Sequence, residues 1–284
     1  MYIIGGTASK NTAEDLSKEL KVPLANTISK RFPDDEFYLR IMDDISGEHV
    51  VIVQTTYPDP NIIELFILQN AAEEAGAKKI TVVIPYFGYA RQDTKFKDGE
   101  PISAKAMANL ISLSADKVIT VDPHKEYILD FFSTSAVSCS VIPELANYLK
   151  KKDIDMVLAP DKGALERAKE ASKIINCNFD YMEKTRIDGE TIEIKLKKLD
   201  AQNKNVAIID DIISTGGTMA KSIQELKKHG AKNVFVACTH GLFAGGAIKK
   251  LTTAGCSEII STDTIQSKFS KVKIAPAISP FLNK

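Results

Sequence analysis

Val206-Ala207-Ile208-Ile209-Asp210-Asp211-Ile212-Ile213-Ser214-Thr215-Gly216-Gly217-Thr218 decides how the rest of this chain is read. A β-branched apolar run leads into two acids, then hydroxyls and paired glycines. Residues 218–229 follow, with Met219, Ile223 and Leu226 at helical spacing. The order is strand, turn, helix. Two glycines let backbone N–H groups turn inward toward an anion without Cβ clashes. Ser214, Thr215 and Thr218 add hydroxyl donors, and the helix that opens near Thr218 aims its positive end at the same point. Together these make a phosphate cradle. No lysine follows the glycines, so it is not a Walker A loop. Asp210 and Asp211 would repel a phosphate. Ribose hydroxyls or a hydrated Mg²⁺ are the partners that suit them.

The same alternation runs along the chain. Apolar runs at 2–4, 50–54, 80–85, 118–121, 156–159, 206–209, 234–238 and 258–261 alternate with longer segments, many of them with helical spacing. In 61–75, Ile62, Leu65, Phe66, Leu68 and Gln69 cover one broad face. Strands that are apolar nearly throughout, separated by helices, mean a mostly parallel sheet covered on both faces, so the fold class is α/β. One βαβ unit also echoes another. Val51-Ile52-Val53-Gln54, a loop, a helix and Gly76-Ala77-Lys78-Lys79-Ile80 match Ala207-Ile208-Ile209-Asp210, a loop, a helix and Gly230-Ala231-Lys232-Asn233-Val234. A generic likeness between any two βαβ units is the alternative. The echo predicts two similar α/β domains, 1–142 and 143–284, packed closely because no Pro/Gly/Ser-rich linker parts them. Where the second copy has its glycines, the first has Thr55-Thr56-Tyr57-Pro58-Asp59-Pro60. A loop with two prolines and no glycine is unsuited to a backbone cradle, so the phosphate site is expected in the C-terminal half alone.

Lys and Arg number 37 against 37 Asp and Glu over 284 residues, a formal net charge of zero. That argues against a chain whose main partner is bulk nucleic acid, which needs a basic excess on some face. A content of 44% hydrophobic and 26% charged residues is that of an ordinary soluble globular protein. No apolar run reaches the roughly 18 residues of a membrane span. Met1-Tyr2-Ile3-Ile4-Gly5-Gly6 has neither the basic nor the apolar region of a secretory signal. The expectation is a cytoplasmic protein without a membrane partner. Cys139, Cys177, Cys238 and Cys256 stand far apart with no C-x-x-C pair, which reads as reduced, mostly buried thiols and not as a disulfide frame or zinc site.

Other segments carry chemistry that the residues alone leave open. Arg31-Phe32-Pro33-Asp34-Asp35-Glu36 is a loop, readable as a solvated turn. Arg91-Gln92-Asp93 ends a strand region, where α/β ligands bind, or is an exposed charged loop. His124 follows Asp122-Pro123 at a strand end, and Asp161 follows the run at 156–159; each is a candidate ligand or a structural residue. Lys184 and Arg186 precede Asp188-Gly189, a hairpin signal between two β-capable runs, in an arm too polar for core.

Taken together these motifs resemble a known family. Asp-Asp-x-x-Ser-Thr-Gly-Gly-Thr after a strand resembles the phosphoribosyl-binding loop of the type I phosphoribosyltransferase fold. Arg31–Glu36, Pro85-Tyr86-Phe87-Gly88-Tyr89-Ala90-Arg91-Gln92-Asp93, Val121-Asp122-Pro123-His124, Ala159-Pro160-Asp161-Lys162-Gly163 and Lys184-Thr185-Arg186 narrow the resemblance to ribose-phosphate diphosphokinases. They occur in the family's order over nearly the whole chain. The resemblance implies transfer of the diphosphoryl group of Mg-ATP to ribose 5-phosphate, with AMP as product. It implies that Phe32 stacks on adenine, that Asp34 and Glu36 contact base or ribose, and that Arg91 and Gln92 hold ATP. It gives His124 and Asp161 to Mg²⁺. Asp210, Asp211, Ser214, Thr215, Gly216, Gly217 and Thr218 go to ribose 5-phosphate. Lys184 and Arg186 become the catalytic cations on a mobile loop, with Arg186 also near the sugar phosphate. The nucleotide loop is often lent by a neighbouring subunit, which implies a homodimer or larger homo-oligomer, and residues 275–284 are expected to fold back onto the first domain. Where the family usually has glycine, this chain has Asp35. A nucleobase phosphoribosyltransferase shares the 210–218 loop but needs no adenine site. A non-catalytic nucleotide-binding relative would have no use for Lys184 and Arg186.

Overall fold

The structure, a computed structural model, describes residues 1–186, 192–195 and 201–282, with side chains for 1–183 and 201–282. The chain divides into two compact units. The first holds Met1–Ser140, Thr264–Gln266 and Lys273–Lys284, and the second Val141–Asp263 and Ser267–Val272.

The first unit contains β1 (Tyr2–Gly5), α1 (Lys10–Leu20), β2 (Thr27–Arg31), β3 (Phe37–Ile41), β4 (His49–Val53), α2 (Pro60–Glu74), β5 (Lys79–Ile84), α3 (Ser103–Ile111), β6 (Lys117–Val121) and β7 (Ser135–Cys139). Its sheet runs β1-β4-β5-β6-β7, every neighbour parallel. Val50 to Val53 are fully buried in succession, as a strand covered on both faces must be. Val50, Ile52, Leu65, Leu68 and Ala72 share one core, so α2 lies on that face. β2 and β3 form a separate antiparallel hairpin.

The second unit contains α4 (Ile142–Lys150), β8 (Met156–Ala159), α5 (Leu165–Ile175), β9 (Asn178–Tyr181), β10 (Glu183–Arg186), β11 (Ile192–Lys195), β12 (Asn205–Ile213), α6 (Gly217–Lys228), β13 (Asn233–Gly241), α7 (Ala247–Thr253), β14 (Glu258–Thr262) and β15 (Ser270–Val272). Its sheet runs β15-β14-β13-β12-β8-β9, again parallel throughout. The two-residue period of β12 sends Ala207 and Ile209 into a core with α4 and α5, and Val206 and Ile208 into a core with α6. The last helix, α8 (Ala275–Ile278), belongs to the first unit and packs on α1. There Lys117 Nζ donates to the Phe281 carbonyl at 2.8 Å, and Lys273 pairs with Asp15 at 2.7 Å.

The echo is structural. β4-α2-β5 and β12-α6-β13 end their helices on Gly76 and Gly230, each at φ 79°. Ala77 N donates to Ala72 O and Ala231 N to Leu226 O, the same helix-ending bond. Gly47 N reaches Gly76 O and Asn203 N reaches Gly230 O, both at 2.8 Å. All eight expected apolar strands form, and both sheets confirm the α/β class. α4 begins at Ile142, with Pro143 in its first turn where a missing N–H costs nothing. One detail differs from the sequence reading. Cys139 and Cys238 are buried but Cys177 and Cys256 are half-buried. No helix among the described residues is long and apolar enough to cross a membrane.

Candidate functional site

In the second unit β12 ends on Ile213 and α6 opens at Gly217, with Gly216 as N-cap at φ 71°. No side chain caps this helix. Its first bond runs from Ala220 N to Gly216 O, so the amides before Ala220 have no intrahelical partner. The turn is braced from behind. A Cβ on Gly216 would come within 3.1 Å of Ala247 Cβ at the start of α7, and Lys250 Nζ donates to the Thr215 carbonyl at 3.1 Å. Beside Gly217 the space is open, and a Cβ there would meet nothing within 4 Å. Thr215 is exposed, and Ser214, Gly217 and Thr218 are half-buried. An uncapped helix start, supported behind and open in front, can take an anion.

Upstream, Asp211 is 5% exposed and lies 3.6 Å from Nη2 of Arg167 on α5. Asp210 Oδ1 accepts from Asp211 N at 2.9 Å. Burial first, and then the charge of Asp211, raise the Asp210 carboxyl well above the usual carboxylate range, while Arg167 acts the other way. A carboxyl so placed gains from a hydroxyl donor such as a sugar offers. Asp161 sits at the end of β8, where its Oδ1 accepts from Gly163 N at 2.8 Å. Lys184 and Arg186 lie on β10, paired opposite Ile194 and Ile192 of β11, and β11 runs beside α6. The Asp188-Gly189 turn lies outside the described residues.

The ATP-side candidates lie in the first unit. Phe32, Asp34 and Glu36 occupy the exposed tip of the β2–β3 hairpin. Phe32 N donates to Glu36 O at 2.9 Å, and Asp35 takes φ 69°, the conformation a glycine would adopt there. Aspartate tolerates it, and Arg31 Nη1 holds the turn by donating to Asp35 O at 2.7 Å. The Phe32 ring is 41% exposed, edge-on to Tyr38, with Lys30 Nζ at 5.3 Å. Arg91 is exposed. Gln92 Oε1 accepts from Ser103 Oγ at 2.5 Å, which orients its amide. Tyr127 Oη donates to Asp93 Oδ2 at 2.6 Å, tying the Arg91 loop to the segment after His124. An open groove of about 720 Å³ is lined by Arg31, Glu36, Ile63, Phe66, Tyr89 and Leu110 among others. Glu36 lines it, whereas Phe32, Asp34, Arg91, Gln92 and His124 do not. Asp35, Tyr89 and Asp122 all stand at positive φ, so each of these three segments holds a non-glycine residue in a costly conformation.

The carboxylate oxygen of Asp161 suits Mg²⁺, a hard ion that prefers oxygen, and a histidine nitrogen suits it less. Asp161 offers oxygen and His124 nitrogen, and among the described residues no three His, Cys, Asp or Glu side chains gather into a cage. A protein that supplies isolated donors fits an ion carried mainly by substrate phosphates and water.

Comparison with known proteins gives these segments their context. Residues 1–114 match the N-terminal domain of ribose phosphate pyrophosphokinase, and 142–274 match the phosphoribosyl transferase domain. The ribose-phosphate pyrophosphokinase of Methanothermobacter thermautotrophicus is 39% identical over 279 residues, covering 98% of both chains. That of Pyrococcus furiosus is 42% identical over 281 residues, covering 98% of this chain and 99% of its own. The chain belongs to the ribose-phosphate pyrophosphokinase family. A crystal structure of phosphoribosylpyrophosphate synthetase from Mycobacterium smegmatis superposes with a TM-score of 0.86 at 28% identity, over 99% of this chain and 97% of that one.

Within this member of the ribose-phosphate pyrophosphokinase family, two site-supporting residues escaped the sequence reading, Tyr127 and Arg167. Each acts across a long stretch of chain and stands in an ordinary helical or turn context, so no local pattern marks it. Helix α7, which follows the Gly245-Gly246 turn, is the brace behind Gly216.

Proposed function

We propose that this chain transfers the β,γ-diphosphoryl group of Mg-ATP to the C1 hydroxyl of ribose 5-phosphate, giving 5-phosphoribosyl 1-diphosphate and AMP. The C1 oxygen attacks the β-phosphorus. The bond from that phosphorus to the oxygen bridging to the α-phosphate breaks, AMP leaves with the electron pair, and the hydroxyl proton is released. The observation that carries this reading is the uncapped, glycine-bearing start of α6 directly after an acid pair. Its amides, with the hydroxyls of Ser214, Thr215 and Thr218, take the 5-phosphate, and Asp210 accepts from a ribose hydroxyl.

On the nucleotide side, Phe32 stacks on adenine, Asp34 and Glu36 contact base or ribose, and Arg91 and Gln92 hold the phosphates or the base. The groove in the first unit includes Glu36 but neither Arg91 nor Gln92, which favours a hairpin tip that serves the ATP site of a neighbouring copy. We therefore read the active form as a homodimer or larger. Bound Mg²⁺ neutralises phosphate charge, and Asp161 and His124 are the residues that would hold it. With zero net charge overall, two polyanions need local cations. Lys184, Arg186 and Arg91 provide them. Diphosphoryl transfer leaves the protein chiefly positioning and charge stabilisation to perform.

The test is to mix the purified protein with Mg-ATP and ribose 5-phosphate and to measure AMP and 5-phosphoribosyl 1-diphosphate. Stoichiometric formation of both is expected. No AMP removes the reading, and base-dependent release of diphosphate from 5-phosphoribosyl 1-diphosphate would assign the chain to the phosphoribosyltransferases.

A further inference from the structure

The acid pair lies on β12, next to β8. β8 and β12 pair with Met156 opposite Val206 and Leu158 opposite Ile208. Asp210 and Asp211 lie near the end of β12, directly upstream of a turn suited to a phosphate. Left uncompensated, they would oppose the anion that the turn attracts. Arg167 answers them. It lies in the first turn of α5, the helix that follows the Asp161 loop, and its Nη2 stands 3.6 Å from Asp211 Oδ2. The side chain of Asp211 is 7% exposed and that of Arg167 is 23%, so water screens the pair poorly. Ala168 and Ala171 lie on the buried side of α5 and, being small, suit a helix close to the sheet.

We propose that Arg167 is a positioning residue for sugar-phosphate binding: it takes up the charge of Asp211 and fixes that side chain on the α5 face, leaving Asp210 as the sugar-hydroxyl acceptor beside an anion seat relieved of one negative charge. The proposal rests on the reading of the 210–218 segment given above. Arg167 acts through Asp211 and touches neither substrate.

The experiment is a double-mutant cycle on the full chain with Arg167→Met, Arg167→Lys, Asp211→Asn and the double variant Arg167→Met/Asp211→Asn. Each is read by KM for ribose 5-phosphate, KM for ATP and kcat in the AMP assay, by calorimetric binding of ribose 5-phosphate alone, and by thermal unfolding. Leaving Asp211 buried without its arginine should raise KM and Kd for ribose 5-phosphate in Arg167→Met by about tenfold or more, with KM for ATP unchanged. Arg167→Lys, which keeps the charge, should stay within a few-fold of wild type. The double variant should bind the sugar phosphate more tightly and melt higher than Arg167→Met, because removing the buried charge relieves the defect. Should Arg167→Met fail to fold, Arg167→Lys and the double variant carry the comparison. Additive effects, equal defects in ATP and sugar-phosphate constants, or a lysine variant as impaired as methionine would overturn the proposal. If the wild type forms no AMP, the reading of function fails on its own account, and the calorimetric arm still decides whether Arg167 governs sugar-phosphate binding.

Discussion

A methyl placed on each of two adjacent glycines separates the architecture of the 214–218 turn from its ligand. Gly216 stands at φ 71°, and a Cβ there would meet Ala247 Cβ at 3.1 Å and Ala247 Cα at 3.3 Å. A non-glycine residue in that region costs about 1–2 kcal/mol, and the contact with a rigid alanine adds to it. Gly216→Ala should therefore destabilise by on the order of 2 kcal/mol, lowering Tm by roughly 4 °C or more. Gly217 differs. A Cβ there has open space around it, and the residue occupies the first position of α6, where alanine is favoured over glycine by about 0.5–1 kcal/mol. Gly217→Ala should hold or raise Tm. If the open space beside this residue is where the 5-phosphate approaches the helix amides, the same methyl displaces the anion. The loss of one charge-assisted hydrogen bond, about 1.5–3 kcal/mol, corresponds to roughly a 10- to 150-fold rise in KM for ribose 5-phosphate. The assay is AMP release against sugar-phosphate concentration at saturating Mg-ATP, with thermal unfolding in parallel. A Gly217→Ala enzyme with wild-type Tm and wild-type KM for ribose 5-phosphate would refute the cradle.

Three further perturbations test other parts of the site. Lys184→Ala should lower kcat by about 100- to 1000-fold, the cost of one transition-state donor, while calorimetry still detects ribose 5-phosphate; retention of most turnover would remove its catalytic role. Burial and the charge of Asp211 raise the pKa of Asp210, so the folded chain binds that proton more tightly than the unfolded one. Its contribution is favourable below the unfolded pKa and is lost as pH rises toward the folded value. Asp210→Asn should consequently melt higher than wild type at about pH 8, with the advantage shrinking toward about pH 4, and should bind the sugar phosphate poorly; a Tm difference that ignores pH would contradict this. For His49, burial and then the charge of Lys79 hold the imidazole below its ordinary 6.5. That stability is present above the unfolded pKa and is lost as pH falls below it, so His49→Gln should flatten the acid limb of Tm below about pH 6.5, and an unchanged limb would exclude the effect.

The central strands were readable because burial on both faces makes them apolar throughout. Val50 to Val53 and Val206 to Ile209 are fully buried in succession, and a linear scan finds such runs. β2 and β3 were missed for the opposite reason. They form a partly exposed hairpin in which Ser29, Lys30, Tyr38 and Arg40 break any apolar run. Three-residue β15 and the mixed strand β7 are too short or too polar to announce themselves. The 210–218 segment was readable because strand, turn and helix start are contiguous there. Residues that support the site from elsewhere were not. Arg167 meets Asp211 across 44 positions and Tyr127 meets Asp93 across 34, and nothing local in sequence encodes either meeting.

The two βαβ units share their strand pairing, their helix-ending glycines and the hydrogen bonds behind those glycines, yet their turns are chemically opposite. In the first copy Thr55 N donates to Ser9 Oγ at 2.9 Å and Thr55 Oγ1 to Thr264 O at 2.6 Å. Thr56 Oγ1 donates to Tyr86 O at 3.1 Å and accepts from Gly88 N at 2.7 Å. The donors that a phosphate would need are spent on protein acceptors, and a Cβ on Gly88 would fall 2.6 Å from the Thr56 carbonyl, so the loops are already pressed together. In the second copy Ala247 and Lys250 hold the turn from behind and no side chain caps the start of α6. Inserting glycines at 57–59 would therefore not create a second anion seat, since satisfied donors gain nothing from a ligand that must first break their bonds. The frame is the same in both units, and they differ in whether the donors of the turn are already bonded to protein.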